Sequence, residues 1–126
     1  MVNVTDLLGK PYKPHGRGPD GYDCYGLVIE VERRYGIELP DFDYQSYSEE
    51  YIAGRILELK KANHAIEIGG YVEGAVVLFK NSNGFKNHIG VYIGDNQIVH
   101  CNEKGVNIVY TDYADKFVSG VYVWQK

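Results

Sequence analysis

The sequence predicts an α+β domain, with N-terminal helices packed on an antiparallel β-sheet. Two observations carry that expectation. Apolar residues recur at helical spacing through the first half of the chain, whereas from Gly70 onward β-branched and aromatic runs alternate with turn residues at short intervals. A length of 126 residues is that of one domain, with no internal repeat, linker or low-complexity segment, so residues 1–126 are read as a single unit.

Asn3 to Leu8 reads as a short turn of helix before Gly9 and Pro11. The loop Gly16-Arg17-Gly18-Pro19-Asp20-Gly21 follows, too rich in Gly and Pro for a regular element. Beyond it Cys24, Leu27, Val28, Val31 and Tyr35 fall on one helical face, and Gly36 supplies the stop. A second helix is expected from Ser46, where Glu49 completes a capping box, with Tyr51, Ile52, Ile56 and Leu59 as its apolar stripe. Strands are expected over Ala75–Phe79, His88–Ile93, Gln97–Cys101, Val106–Tyr110 and Val118–Trp124, with Asn83-Gly84 marking a turn. Short loops between successive strands imply a meander.

Composition removes several classes of function. Hydrophobic residues make up 44% and charged residues 24%, as in ordinary globular domains. With a net charge of -4 and no basic stretch, neither nucleic acid nor an anionic membrane surface is an expected partner. Two cysteines are too few for a disulfide-stapled scaffold. No apolar run is long enough to span a bilayer, and no leader pattern is visible, so cytoplasmic synthesis is expected. Twelve tyrosines suit strands and grooves alike and identify no ligand.

Cys24 follows a Gly-rich loop and opens a helix, where backbone amides and the positive helix end favour thiolate. The preceding glycines are expected to let a substrate approach the sulfur. By position alone, an inert buried cysteine fits equally well. A thiolate needs an imidazole partner, and that partner needs orienting. Among the four histidines, His15 sits in the loop and His64 suits a helix end, leaving His88 and His100 on neighbouring strands. If Gly94 to Asn96 forms a three-residue loop, Gly90 pairs with His100, and His88 becomes its diagonal neighbour on the same face. A two-residue loop would separate them. Cys101 adjoins His100 but points to the opposite face, and no Cys or His spacing supports zinc, so neither metal nor cofactor is expected.

Gly9-Lys10-Pro11-Tyr12 followed by Gly21-Tyr22-Asp23-Cys24-Tyr25-Gly26-Leu27-Val28 resembles the nucleophile region of NlpC-type cell-wall cysteine peptidases. His88-Ile89-Gly90-Val91-Tyr92-Ile93-Gly94 resembles that family's base-bearing strand, and Ile98-Val99-His100 the strand of its third polar residue. The resemblance implies a papain-like fold in which Cys24 attacks, His88 is the base and His100 orients it. It also implies that Tyr12 helps bind the oxyanion, that Asp23 lies near the amine end of a peptidoglycan stem peptide, and that the cleaved bond joins γ-D-glutamate to a diamino acid. As a helix-end acid, Asp23 has an equally good structural explanation. Tyr25 stands at a substrate-binding position where the family usually has a small serine. Together with the segment 36–40, it resembles the phage and prophage tail-associated branch, which implies phage tail proteins as partners and a virion or holin as the delivery route. An amidase acting on the muramoyl–L-alanine bond, a thiol acyltransferase and a catalytically silent tail or wall-binding module are the alternatives.

Overall fold

The computed structural model describes residues 1–41, 65–80 and 88–124. Helix α1 spans Cys24–Arg34. It is followed by β1 (Ala65–Ile68), β2 (Val76–Phe79), β3 (Ile89–Tyr92), β4 (Gln97–Asn102) and β5 (Gly105–Tyr110), then the single-turn α2 (Thr111–Ala114), a 3₁₀ turn at Asp115–Phe117, and β6 (Val118–Trp124). The expected helix from Ser46, His64 and the Asn83-Gly84 turn lie outside the described residues.

Among the described residues, the six strands form one antiparallel sheet in the order β1-β6-β2-β3-β4-β5. The meander holds from β2 to β5. It does not hold for the last strand, because β6 returns to pair with β2 and then receives β1 on its other side. β1 was not expected. Its four residues precede Gly69-Gly70 and find their partner only at the far end of the chain. Residues 5–9 form successive turns rather than a helix, with Leu7 and Lys10 amides donating to the Val4 and Leu7 carbonyls.

α1 packs on β3 and β4. Leu27, Val28 and Val31 are fully buried in a cluster with Ile89, Val91, Val99 and Cys101. The helix ends as its sequence demands. Tyr35 caps it, Gly36 adopts φ 81°, and the Ile37 and Gly36 amides donate to the Glu32 and Arg33 carbonyls, a Schellman motif. Arg34, in the last turn, pairs with Asp6 at 2.7 Å and Glu30 at 3.0 Å, tying the N-terminal turns to the helix. A second cluster on the alternate strand positions joins Val77, Phe79 and Ile98 to Ala114 and Phe117.

Candidate active site

The segment leading to Cys24 is held by backbone bonds on two sides. The Tyr22 amide donates to the Pro11 carbonyl and the Lys13 amide to the Tyr22 carbonyl, so Tyr12 and Tyr22 run side by side. Gly9 and Lys10 in turn exchange bonds with Val106 of β5, both at 2.9 Å. The buried Cys101 thiol donates to the Tyr22 carbonyl at 3.1 Å. That bond fastens the approach to Cys24 to the residue next to His100. Cys101 is therefore a core residue and a clamp.

Asp23 is the N-cap of α1, its Oδ1 accepting the Gly26 amide at 2.6 Å. The same oxygen receives the Arg17 guanidinium at 2.9 Å, and Arg17 also holds Asp41. The glycines here serve contact between chain segments. A Cβ on Gly26 would lie 1.9 Å from the Gly16 carbonyl oxygen, and one on Gly16 would lie 2.6 Å from that of Gly21. The loop is thus folded onto the first turn of α1, which corrects its reading as an open approach for substrate. Cys24 itself is 1% exposed at the helix start.

Tyr25 is fully buried, and its hydroxyl donates to the Pro40 carbonyl. A residue so placed supports the segment after α1 and does not line a groove. The extra bulk relative to a serine is absorbed by the core.

The histidine side is built by strand register. The Ile93 amide donates to the Gln97 carbonyl, with Asp95 and Asn96 at φ 51° and 61° in the loop between them. Gly90 then pairs with His100, as a three-residue loop requires. His88 and His100 share a face, with His88 Nε2 2.7 Å from His100 Nδ1. Both rings are 3% exposed, and Phe79 lies against them at centroid distances of 5.5 and 6.3 Å. A Cβ on Gly90 would come within 2.9 Å of the Val99 carbonyl and 3.2 Å of His100 Cβ. Burial, reinforced by the neighbouring His88, pulls the His100 pKa down to about 4, against the hydrogen bond that His100 gives to Asn107 Oδ1. His100 is therefore neutral at ordinary pH.

The sequence reading missed Asn107. It pairs with His100 across β4 and β5, and its Oδ1 lies 2.8 Å from His100 Nε2. Its amide nitrogen donates to the Gly105 carbonyl at 2.9 Å and to Asn102 Oδ1 at 3.3 Å. The signal was present in the sequence, since strands ending at Cys101 and resuming at Val106 place His100 opposite Asn107.

A cysteine at a helix start, beside strands that carry a buried histidine pair, is the architecture of a papain-like α+β domain. The profile described as the NlpC/P60 family matches residues 9–124. The chain belongs to the NlpC/P60 family. It is 30% identical over 106 residues to a probable endopeptidase p60 of Listeria welshimeri, covering 84% of this chain and 18% of that protein. It is 31% identical over 103 residues to the murein DD-endopeptidase MepS/murein LD-carboxypeptidase of Escherichia coli, covering 81% and 47%. The chain thus spans less than half the length of these relatives. In three dimensions it resembles an NlpC/P60 family protein from Bacillus cereus with a TM-score of 0.64 at 22% identity, covering 95% of this chain and 37% of that one. The NlpC/p60 domain of the peptidoglycan hydrolase SagA matches with a TM-score of 0.56 at 17% identity, covering 97% and 99%.

Proposed function

We propose that this chain is a cysteine endopeptidase that hydrolyses peptide bonds in bacterial peptidoglycan. The observation that carries the reading is the buried 2.7 Å bond between His88, immediately before β3, and His100 on β4, two strands that pack against the helix opened by Cys24, in a member of the NlpC/P60 family. Cys24 gives its proton to His88, and the thiolate is favoured by the helix start. The thiolate attacks the scissile carbonyl, and the carbonyl π electrons move onto oxygen. Tyr12 and the Cys24 backbone amide are the oxyanion donors in this reading. Collapse of the intermediate breaks the C–N bond, and the leaving amine takes the proton from His88. Water then gives a proton to His88 and attacks the thioester, which releases the acid and restores Cys24.

The finer proposal for the bond is that between γ-D-glutamate and the diamino acid. Recognition of a free substrate amine by Asp23 has a competitor here, because Arg17 already holds that carboxylate. A muramoyl–L-alanine amide and a D,D cross-link are the competing bonds. Purified peptidoglycan and defined muropeptides, with and without a free N-terminal amine, are digested with wild type and Cys24→Ala, and the fragments are weighed. Fragments beginning at the diamino acid, absent with the alanine variant, support the proposal. Intact stem peptide released from sugar would mark an amidase, and no release at all would favour a silent wall-binding module.

A further inference from the structure

We propose that Asn107 is a positioning residue that sets the proton arrangement of the histidine pair, and so leaves His88 Nδ1 as the nitrogen that serves Cys24. The inference rests on the peptidase reading for its functional consequence, but the hydrogen-bond logic stands on geometry alone.

The chain of bonds begins at groups whose roles are not adjustable. The Gly105 carbonyl can only accept, so the atom of Asn107 2.9 Å from it is the amide nitrogen. Asn102 Oδ1 is held as an acceptor by the Lys104 backbone amide at 3.0 Å, and it takes the second Asn107 hydrogen. Asn107 Oδ1 is thereby turned toward His100 Nε2 at 2.8 Å. An amide oxygen only accepts, so His100 carries its proton on Nε2. In the neutral ring Nδ1 is then a lone pair. His88 Nε2 lies 2.7 Å from that lone pair and must donate to it. Neutral His88 is left with its lone pair on Nδ1.

This arrangement serves both states of His88. When Nδ1 takes the Cys24 proton, the imidazolium keeps donating Nε2–H to His100, and no proton need move elsewhere. Burial keeps His100 neutral down to a pKa of about 4, so the relay persists across the neutral range. It fails when His100 gains a proton on Nδ1, because two N–H groups then face each other.

Replacing Asn107 by Leu removes the acceptor. His100 is then able to carry its proton on Nδ1, which forces His88 Nε2 to accept and puts the remaining His88 proton on Nδ1, the nitrogen that the proposal assigns to the thiol. Holding an imidazole in the working tautomer is worth orders of magnitude in related triads.

The test uses the full chain with ¹⁵N-labelled histidine at neutral pH, together with the rate of Cys24 alkylation by iodoacetamide against pH. Wild type should show His100 as one neutral Nε2–H tautomer. Asn107→Leu should lose that single tautomer, and its alkylation at neutral pH should slow by about tenfold or more. Asn107→Asp keeps an acceptor, so the Nε2–H signal should survive. Its added negative charge should raise the His100 pKa, so reactivity is lost at a higher pH as acidity increases. A folded Leu variant with unchanged His100 signals and alkylation within twofold would overturn the proposal. If the Leu variant does not fold, an Asp variant with an unmoved acid limb overturns it equally. Failure of wild type to cleave peptidoglycan would refute the substrate reading and leave the tautomer measurement decisive for Asn107.

Discussion

The two halves of the proposed site are made in different ways. The Cys24 side is a local device. A loop folds onto a helix start, Asp23 caps that start, and two glycines leave room for carbonyl oxygens. The histidine side has no such local device. His88 stands immediately before β3, His100 lies on β4 and Asn107 on β5, and their contact depends on two hairpin registers being right at once. A fault on the first side disturbs one turn of helix, whereas a shift of one residue on the second turns a ring to the other face.

Substitutions that remove the reacting group should show the largest effect. His88→Ala should lower turnover by about three orders of magnitude or more while the fold persists, as read by muropeptide release and thermal unfolding. Activity close to wild type would remove His88 from the mechanism.

The comparison is sharpened by separating stability from site titration. Glu32 is fully buried on α1, and neither of its carboxylate oxygens has a hydrogen-bond partner among the described residues. Burial lifts its pKa from 4.5 to about 8. Between those values the folded state holds a proton that the unfolded chain releases. Stability should therefore fall as pH rises through that window, by up to about 1.4 kcal/mol per pH unit, and level off above it. Glu32→Gln should flatten the slope in denaturant titrations at several pH values, without moving the pH dependence of Cys24 alkylation. An unchanged slope would show that another group causes it.

Gly90→Ala attacks the register side without touching a reacting atom. The new methyl meets the Val99 carbonyl and the His100 Cβ, so about 1–3 kcal/mol of stability should be lost, and turnover should fall with it. Asp23→Ala attacks the other side. Loss of the cap should cost about 0.5–2 kcal/mol, and Arg17 loses one of its two carboxylate partners while keeping Asp41. Equal loss of turnover per kcal/mol in the two variants would contradict the contrast drawn here.

The same contrast explains what was legible in the sequence. α1 and its Gly36 stop are short-range patterns and read correctly, whereas the loop of Gly94 to Asn96 was open between two lengths and the structure selects three residues. The face shared by His88 and His100 followed from that length by counting. The position of β6 beside β2 did not, because pairing between residues some forty positions apart leaves no local trace. β1 is too short to show alternation, and α2 is a single turn without periodicity. Tyr25 was misjudged for a related reason. Its burial depends on the Pro40 carbonyl, which the chain brings to it only after the helix has ended.

The bonds joining Gly9 and Lys10 to Val106 have a consequence beyond the site. Among the described residues β5 is an outer strand of the sheet, and an uncovered strand edge is a template for another strand. The N-terminal segment occupies the beginning of that edge, where Gly105 comes so close to the Lys10 carbonyl that a side chain would not fit. The stretch that carries Tyr12 therefore also covers part of the edge along which a further strand would add. Shortening the chain up to Lys10 should expose the start of that edge, which a concentration-dependent rise in mass by light scattering would show.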